Sequence, residues 1–332
     1  MDFSATGNLM AGGYMFPTLV KARASATTGR VLSYGVFVGG FVHGRAPKDR
    51  CVEIIVDAPP LPDDSAADGM PCYYEPRHRV AKLQAVRYSP CCASGAALHK
   101  HKPGGTALML RAACAYVLGE FSWVEGFELD DTSYVVCGSD DDGEPGAATA
   151  ALAAVGILTC GSTWYEREFG AVLATAGAHA EYRLRVSDKL QSAAAKPDTI
   201  ECMFAKAGLT AGDAWGGSPD VLAAVSRCYA SAETVQAFFM AVKEWCGRRV
   251  DGETCFCRLI APWAHYIVDG LIGDLHHGRW VIPGSAVASA APPAEVIAGW
   301  WCDCRVCREG CIAMGTRAHV GEAFSHPVDD IS

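Results

Sequence analysis

Nothing in this 332-residue sequence reads as a membrane-spanning helix: the apolar stretch 31–44 is too short and too rich in glycine, and nothing later does better. No basic block longer than the short clusters at 77–79 and 99–102 is present, and the net charge is −9, which excludes a sequence-independent nucleic-acid binder. The common signatures of nucleotide binding are missing too. There is no Gly-Lys-Ser/Thr ending to a phosphate loop and no G-x-G-x-x-G. No G-x-S-x-G, H-E-x-x-H or Ser/His/Asp spacing argues for hydrolysis. The amino end has an acid at position 2 and no basic stretch, unlike a secretory signal, so most of the 16 cysteines are expected to be reduced thiols in a cytoplasmic protein.

Half of the residues are hydrophobic, enough for a sizeable core in one large domain or two ordinary ones. The most organised stretch runs from Lys102 to Ala171. It opens with Lys102, Pro103, Gly104, Gly105, Thr106 and Ala107, where small residues let a ligand approach the backbone. An apolar run without proline follows from Leu108 to Phe121 and predicts a helix, whose first turn would aim free N–H groups and the positive dipole end at that turn. The bare glycine pair fits an ordinary tight turn as well as a phosphate cradle. Residues 126–136 read as a strand ending near the acidic pair Asp130-Asp131. An acidic loop then leads to a second helical stretch that closes on Tyr165, Glu166, Arg167, Phe169 and Gly170.

This order of strand, K-x-x-G-x-A turn, helix, strand and helix resembles the acyl-CoA-binding half of the GNAT N-acetyltransferase superfamily. The resemblance implies a mixed central sheet flanked by helices, an α/β fold in which the turn holds the pyrophosphate of acetyl-CoA. It puts Lys102 at the Arg/Gln position of the family turn, Gly105 at its glycine and Ala107 at its last small position, with Gly104 and Thr106 between them. It also implies that Tyr165 protonates the departing thiolate, with Phe169-Gly170 standing for the family's Gly-Phe pair in reversed order. Glu128 or Asp130, on the central strand, would then be the base for an amine acceptor, small molecule or protein; either carboxylate also fits a solvated turn. The segment 161–171, with 104–110, Pro262 to Tyr266 and Arg279 to Pro283, is similar to uncharacterised proteins of large DNA viruses of protists. That similarity implies host cytoplasm or virion as the location, and a viral structural or host-interaction protein as the alternative to an enzyme.

On this reading residues 1–175 form the GNAT-like core, 176–283 a helical extension, and 284–332 a linker with a cysteine-rich tail. Within the core, residues 1–30 show little periodicity, and strands are expected at 31–42, 51–56 and 79–88. In the extension, helices are expected over 174–195, over 199–207, from Ser218-Pro219, and from a Ser231 cap to Cys246, with Val235, Phe238, Phe239, Val242 and Trp245 on the core face. Arg279–Pro283 reads as a strand. In the tail, Cys302, Cys304, Cys307 and Cys311 are dense enough for one tetrahedral zinc site, with Cys255 and Cys257 as a distant pair that would complete one with Cys304 and Cys307. A third reading makes this tail the working part of a metal-stabilised binding module. Cys91, Cys92, His99 and His101 offer ligand types without a framing C-x-x-C. Cys160 is a nucleophile candidate without a local histidine.

Overall fold

The computed structural model describes residues 2–11, 14–29, 31–39, 51–58, 79–86, 105–131, 134–137, 148–210, 219–247, 259, 263–290 and 301–302. The first strands are β1 (Asp2–Ala11), β2 (Tyr14–Ala24), β3 (Val31–Val38), β4 (Val52–Asp57) and β5 (Val80–Val86). Helix α1 (Gly105–Glu120) leads to β6 (Gly126–Asp130), β7 (Tyr134–Cys137) and β8 (Ala148–Ala151). Then come α2 (Leu152–Cys160), α3 (Trp164–Phe169), β9 (Val172–Leu173), α4 (Ala178–Val186), α5 (Ile200–Lys206), α6 (Pro219–Ser231), α7 (Val235–Gly247) and α8 (Ala264–Ile272). The described chain closes with β10 (Arg279–Pro283), α9 (Gly284–Ala290) and β11 (Trp301–Cys302). The fold class is α/β, and the chain divides into a first unit of residues 1–129 and 281–332 and a second of 130–280.

The first unit carries a mixed sheet in the order β11-β1-β2-β3-β4-β5-β6-β10. Neighbours from β1 to β5 are antiparallel, and β5 and β6 are parallel. Strands β1 and β2 correct the expectation that residues 1–30 lack regular structure: they pair without a break from Asp2↔Arg23 to Ala11↔Tyr14. The physical reason is tertiary. A strand of small residues has little propensity of its own, and here a long neighbour supplies the ladder while Leu9, Phe16 and Val20 supply the burial. Pro17 is tolerated in β2 because the ladder to β3 begins only at Thr18↔Val38. In β4 burial alternates strictly, with Val52, Ile54 and Val56 fully buried, each contributing about 1.5–3 kcal/mol by removal from water.

Helix α1 packs on the buried face, against β1, β3 and β4, and is apolar nearly all round: Met109, Leu110, Ala113, Cys114 and Val117 are 0–1 % exposed. Close approach at the far side of β6 depends on two glycines. A Cβ on Gly126 would stand 2.8 Å from the Ile282 carbonyl oxygen, and one on Gly284 2.6 Å from that of Glu125. Gly284 N–H donates to the latter at 2.9 Å. The expected linker from residue 284 is therefore helix α9 at its start, where Val287 is fully buried.

The second unit is mainly helical. The single strand expected over 126–136 is divided: β6 stops at Asp130, and β7 pairs antiparallel with β8 in a separate two-stranded sheet. The helix expected to close on the Tyr-Glu-Arg segment is also two, since Gly161 takes a left-handed conformation (φ 70°) that ends α2, and Thr163 caps α3. Ser231 closes α6 rather than opening α7; the capping oxygen is that of Thr234, which accepts from Ala237 N–H at 3.0 Å. Of the predicted stripe, Val235, Phe238, Phe239 and Val242 are fully buried and Trp245 is half-buried, and α7 packs on α2. Gly270 of α8 meets α5 so closely that a Cβ would stand 2.5 Å from the Lys206 carbonyl oxygen. Among the described residues no helix is long and apolar enough to cross a membrane.

Candidate functional site

In the first unit, β5, α1 and β6 form a parallel crossover. Along β5, Ala81 and Leu83 are buried and Lys82 and Gln84 exposed, so the strand presents one face to the core and one outward. The ladder to β6 has the pairs Val80↔Gly126, Ala81↔Phe127 and Lys82↔Glu128 and then stops, although β5 continues to Val86 and β6 to Asp130. Past that point no further pair joins the two strands among the described residues. A 16-residue helix is about 24 Å long, and the seven residues of β5 span about 23 Å. The helix that links them packs against β1, β3 and β4. The first turn of α1 has no acidic residue, which suits an anion there.

Of the residues singled out from the sequence, Gly105, Thr106 and Ala107 form this first turn, with Ala107 buried. Glu128 is half-buried on β6, on the outward face it shares with its ladder partner Lys82, whose ammonium is 3.9 Å from the Asp57 carboxylate. Lys102 and Gly104 lie outside the described residues, as do Cys91, Cys92, His99, His101, Cys255 and Cys257. Cys302 is placed on β11 opposite Ala5, whereas Cys304, Cys307 and Cys311 lie outside the described residues. Cys51 is disulfide-bonded, while Cys114, Cys160 and Cys202 are thiols. Burial pushes the Cys114 thiol of α1 up, away from the reactive thiolate. Cys160 is exposed at the end of α2, its Sγ 3.5 Å from Thr159 Oγ1.

Asp130 and Tyr165 belong to the second unit. Asp130 is exposed. Tyr165 is 6 % exposed and packed between Trp164 and Phe169, with ring centroids 4.9 and 6.4 Å away, the environment of a core aromatic. The polar work of this segment falls to its neighbour. Glu166 Oε2 accepts from Thr163 N–H at 2.8 Å while Thr163 Oγ1 accepts from Glu166 N–H at 3.2 Å, a reciprocal capping box. Tyr182 donates its hydroxyl to the same carboxylate oxygen at 2.9 Å, and Arg183 stands 3.5 Å from the other. Burial and then the Glu166 charge push the Tyr182 phenol up.

The second unit also assembles a group that sequence reasoning passed over. Asp269 near the end of α8, His276 and His277 bring one ligand atom each within 4.8 Å of one another. Gly273 makes this possible: at φ 80° and ψ −173° it takes a conformation open only to glycine and turns the chain into the short 3-10 helix Asp274–His277. His277 Nε2 is 3.1 Å and His276 Nε2 3.6 Å from Asp269 Oδ1, and the two rings overlap with centroids 4.0 Å apart. His276 is 4 % exposed. Burial, with the neighbouring His277, lowers its pKa to about 4 against the opposing pull of Asp269, the Gly273 backbone and Asp274, so the ring is neutral at pH 7. The available signal was the His-His pair seven residues beyond an aspartate, across a glycine turn.

Compared with known proteins, the chain matches no family model, no curated protein and no solved structure.

Proposed function

We propose that the chain is a GNAT-like acyltransferase that moves an acetyl group from acetyl-CoA to an amine. The observation that supports the reading is the order of strand β5, helix α1 with a glycine at its start, and parallel strand β6, with the ladder between the two strands ending at Lys82↔Glu128. On this reading the two strands separate beyond that pair, and the backbone N–H and C=O groups along their inner edges pair with the amide groups of a pantetheine arm. The first turn of α1, from Gly105 to Ala107, would hold the pyrophosphate through its free N–H groups, with Lys102 and Gly104 completing the turn. Glu128 is the base of this proposal. The amine nitrogen attacks the thioester carbonyl, its proton passes to Glu128, the carbon–sulfur bond breaks, and the departing thiolate takes its proton from water. The proposal rests on the first unit alone and gives Tyr165 and Asp130 no part in the reaction.

Calorimetric titration of acetyl-CoA into the full chain tests it. Micromolar binding is expected, lost in Gly105→Glu, whose carboxylate would occupy the pyrophosphate seat while the circular dichroism spectrum stays unchanged. No heat from folded wild-type protein would reject the proposal and leave a non-enzymatic interaction protein as the better reading. Glu128→Gln should retain acetyl-CoA binding but slow acetyl transfer to an amine by about 10²–10⁴-fold, the usual contribution of a positioned base.

A further inference from the structure

We infer that Asp269, His276 and His277 form a binding site for a divalent transition-metal ion of the zinc type. Two imidazoles and one carboxylate are a donor set such ions prefer, and hard cations such as calcium and magnesium do not. The spacing fits. Ligand atoms about 2.0–2.1 Å from a common ion stand about 3.0–3.4 Å apart, depending on whether the geometry is octahedral or tetrahedral. The separations of 3.1 and 3.6 Å from Asp269 Oδ1 lie close to that range, and all three ligand atoms lie within 4.8 Å of one another.

Two features set this group apart from a hydrogen-bonded histidine on a surface. The first is His276, more than nine-tenths buried, whose Nε2 stands 3.6 Å from Asp269 Oδ1, beyond hydrogen-bond distance. Coordination through Nε2 would give that nitrogen a strong partner inside the protein. The second is the frame. Trp280, fully buried, donates its indole N–H to the His276 carbonyl at 3.2 Å, and Arg185 donates to the Ile272 carbonyl at 3.0 Å. A Cβ on Gly273 would stand 2.7 Å from that same Arg185 nitrogen. The turn that presents both histidines is thus fixed from α4 and from β10, as a ligand set needs. Three protein donors, one of them the exposed His277, leave a coordination position open to water or an anionic ligand, the pattern of reactive rather than purely structural sites.

Cobalt(II) titration of the full chain under reducing conditions, followed by visible absorption, tests the inference. A single equivalent should bind with d–d bands and without sulfur-to-cobalt charge transfer. His277→Ala, at an exposed position, and the near-isosteric Asp269→Asn should each weaken binding at least about tenfold, since even outer partners of metal ligands are worth that much. A variant with Cys302, Cys304, Cys307 and Cys311 all changed to serine should bind as the wild type does. The inference is overturned if no cobalt binds, if folded His277→Ala and Asp269→Asn both keep wild-type affinity, or if the bound ion shows thiolate charge transfer that disappears in the serine variant.

Discussion

Glu166 takes part in three interactions of the second unit: it closes a capping box, accepts from Tyr182 and faces Arg183. Removing it in Glu166→Ala takes away a cap worth about 1 kcal/mol and leaves a buried hydroxyl without its charged acceptor, worth about 1.5–3. Urea unfolding should therefore show a loss of about 2–4 kcal/mol, with Glu166→Gln recovering part of it. Tyr182 gives this network a pH signature. Its folded-state pKa is raised, so the stability it contributes is complete below the unfolded value of about 10 and lost as the pH rises beyond that. The difference in unfolding free energy between wild type and Tyr182→Phe should narrow above pH 10; a constant difference from neutral to alkaline pH would contradict the assignment. Most of this was not legible in the sequence, where Tyr-Glu-Arg reads through its resemblance to a catalytic segment. The capping box was written there, as Thr163 followed three residues later by Glu166, but Tyr182 and Arg183 reach it only through the fold.

Among the elements, α1 was the most legible and β1 the least. An apolar run without proline after a glycine turn specifies a helix by itself, and burial on nearly every side makes its type unmistakable. Native-state hydrogen exchange should find the amides from Met109 to Val117 among the slowest in the first unit, because they open only with its core; fast exchange there would mean that the helix is not the buried element described. Strand β1 gives no such signal, since its residues are small and its regularity comes from β2. One clue was present all the same: the pair Ala11↔Tyr14 leaves Gly12 and Gly13 between two strands, the spacing of a two-residue hairpin. The histidine pair was missed for a related reason. Its meaning depends on Asp269 being brought back over it by a glycine turn, and periodicity has no access to that.

For the molecule as a whole, the sequence suggests a core followed by an extension and a tail, whereas the described chain interrupts its first unit and returns to it at Val281. The return is sealed at Gly126 and Gly284, where each backbone lies against the other's neighbour. Gly284→Val should cost about 1–3 kcal/mol through overpacking, measured as a lower urea midpoint at unchanged slope. A residue chosen from composition alone would not suggest that sensitivity, since Gly284 opens a stretch that reads as linker.

The interruption also fixes an order of events during synthesis. A nascent chain emerging from the ribosome can form the hairpin of β1 and β2 early, but the strand that covers the outer side of β6 is translated only after everything from Asp130 to Trp280 has been made. Until then the edge of β6 stands open to any extended segment that passes.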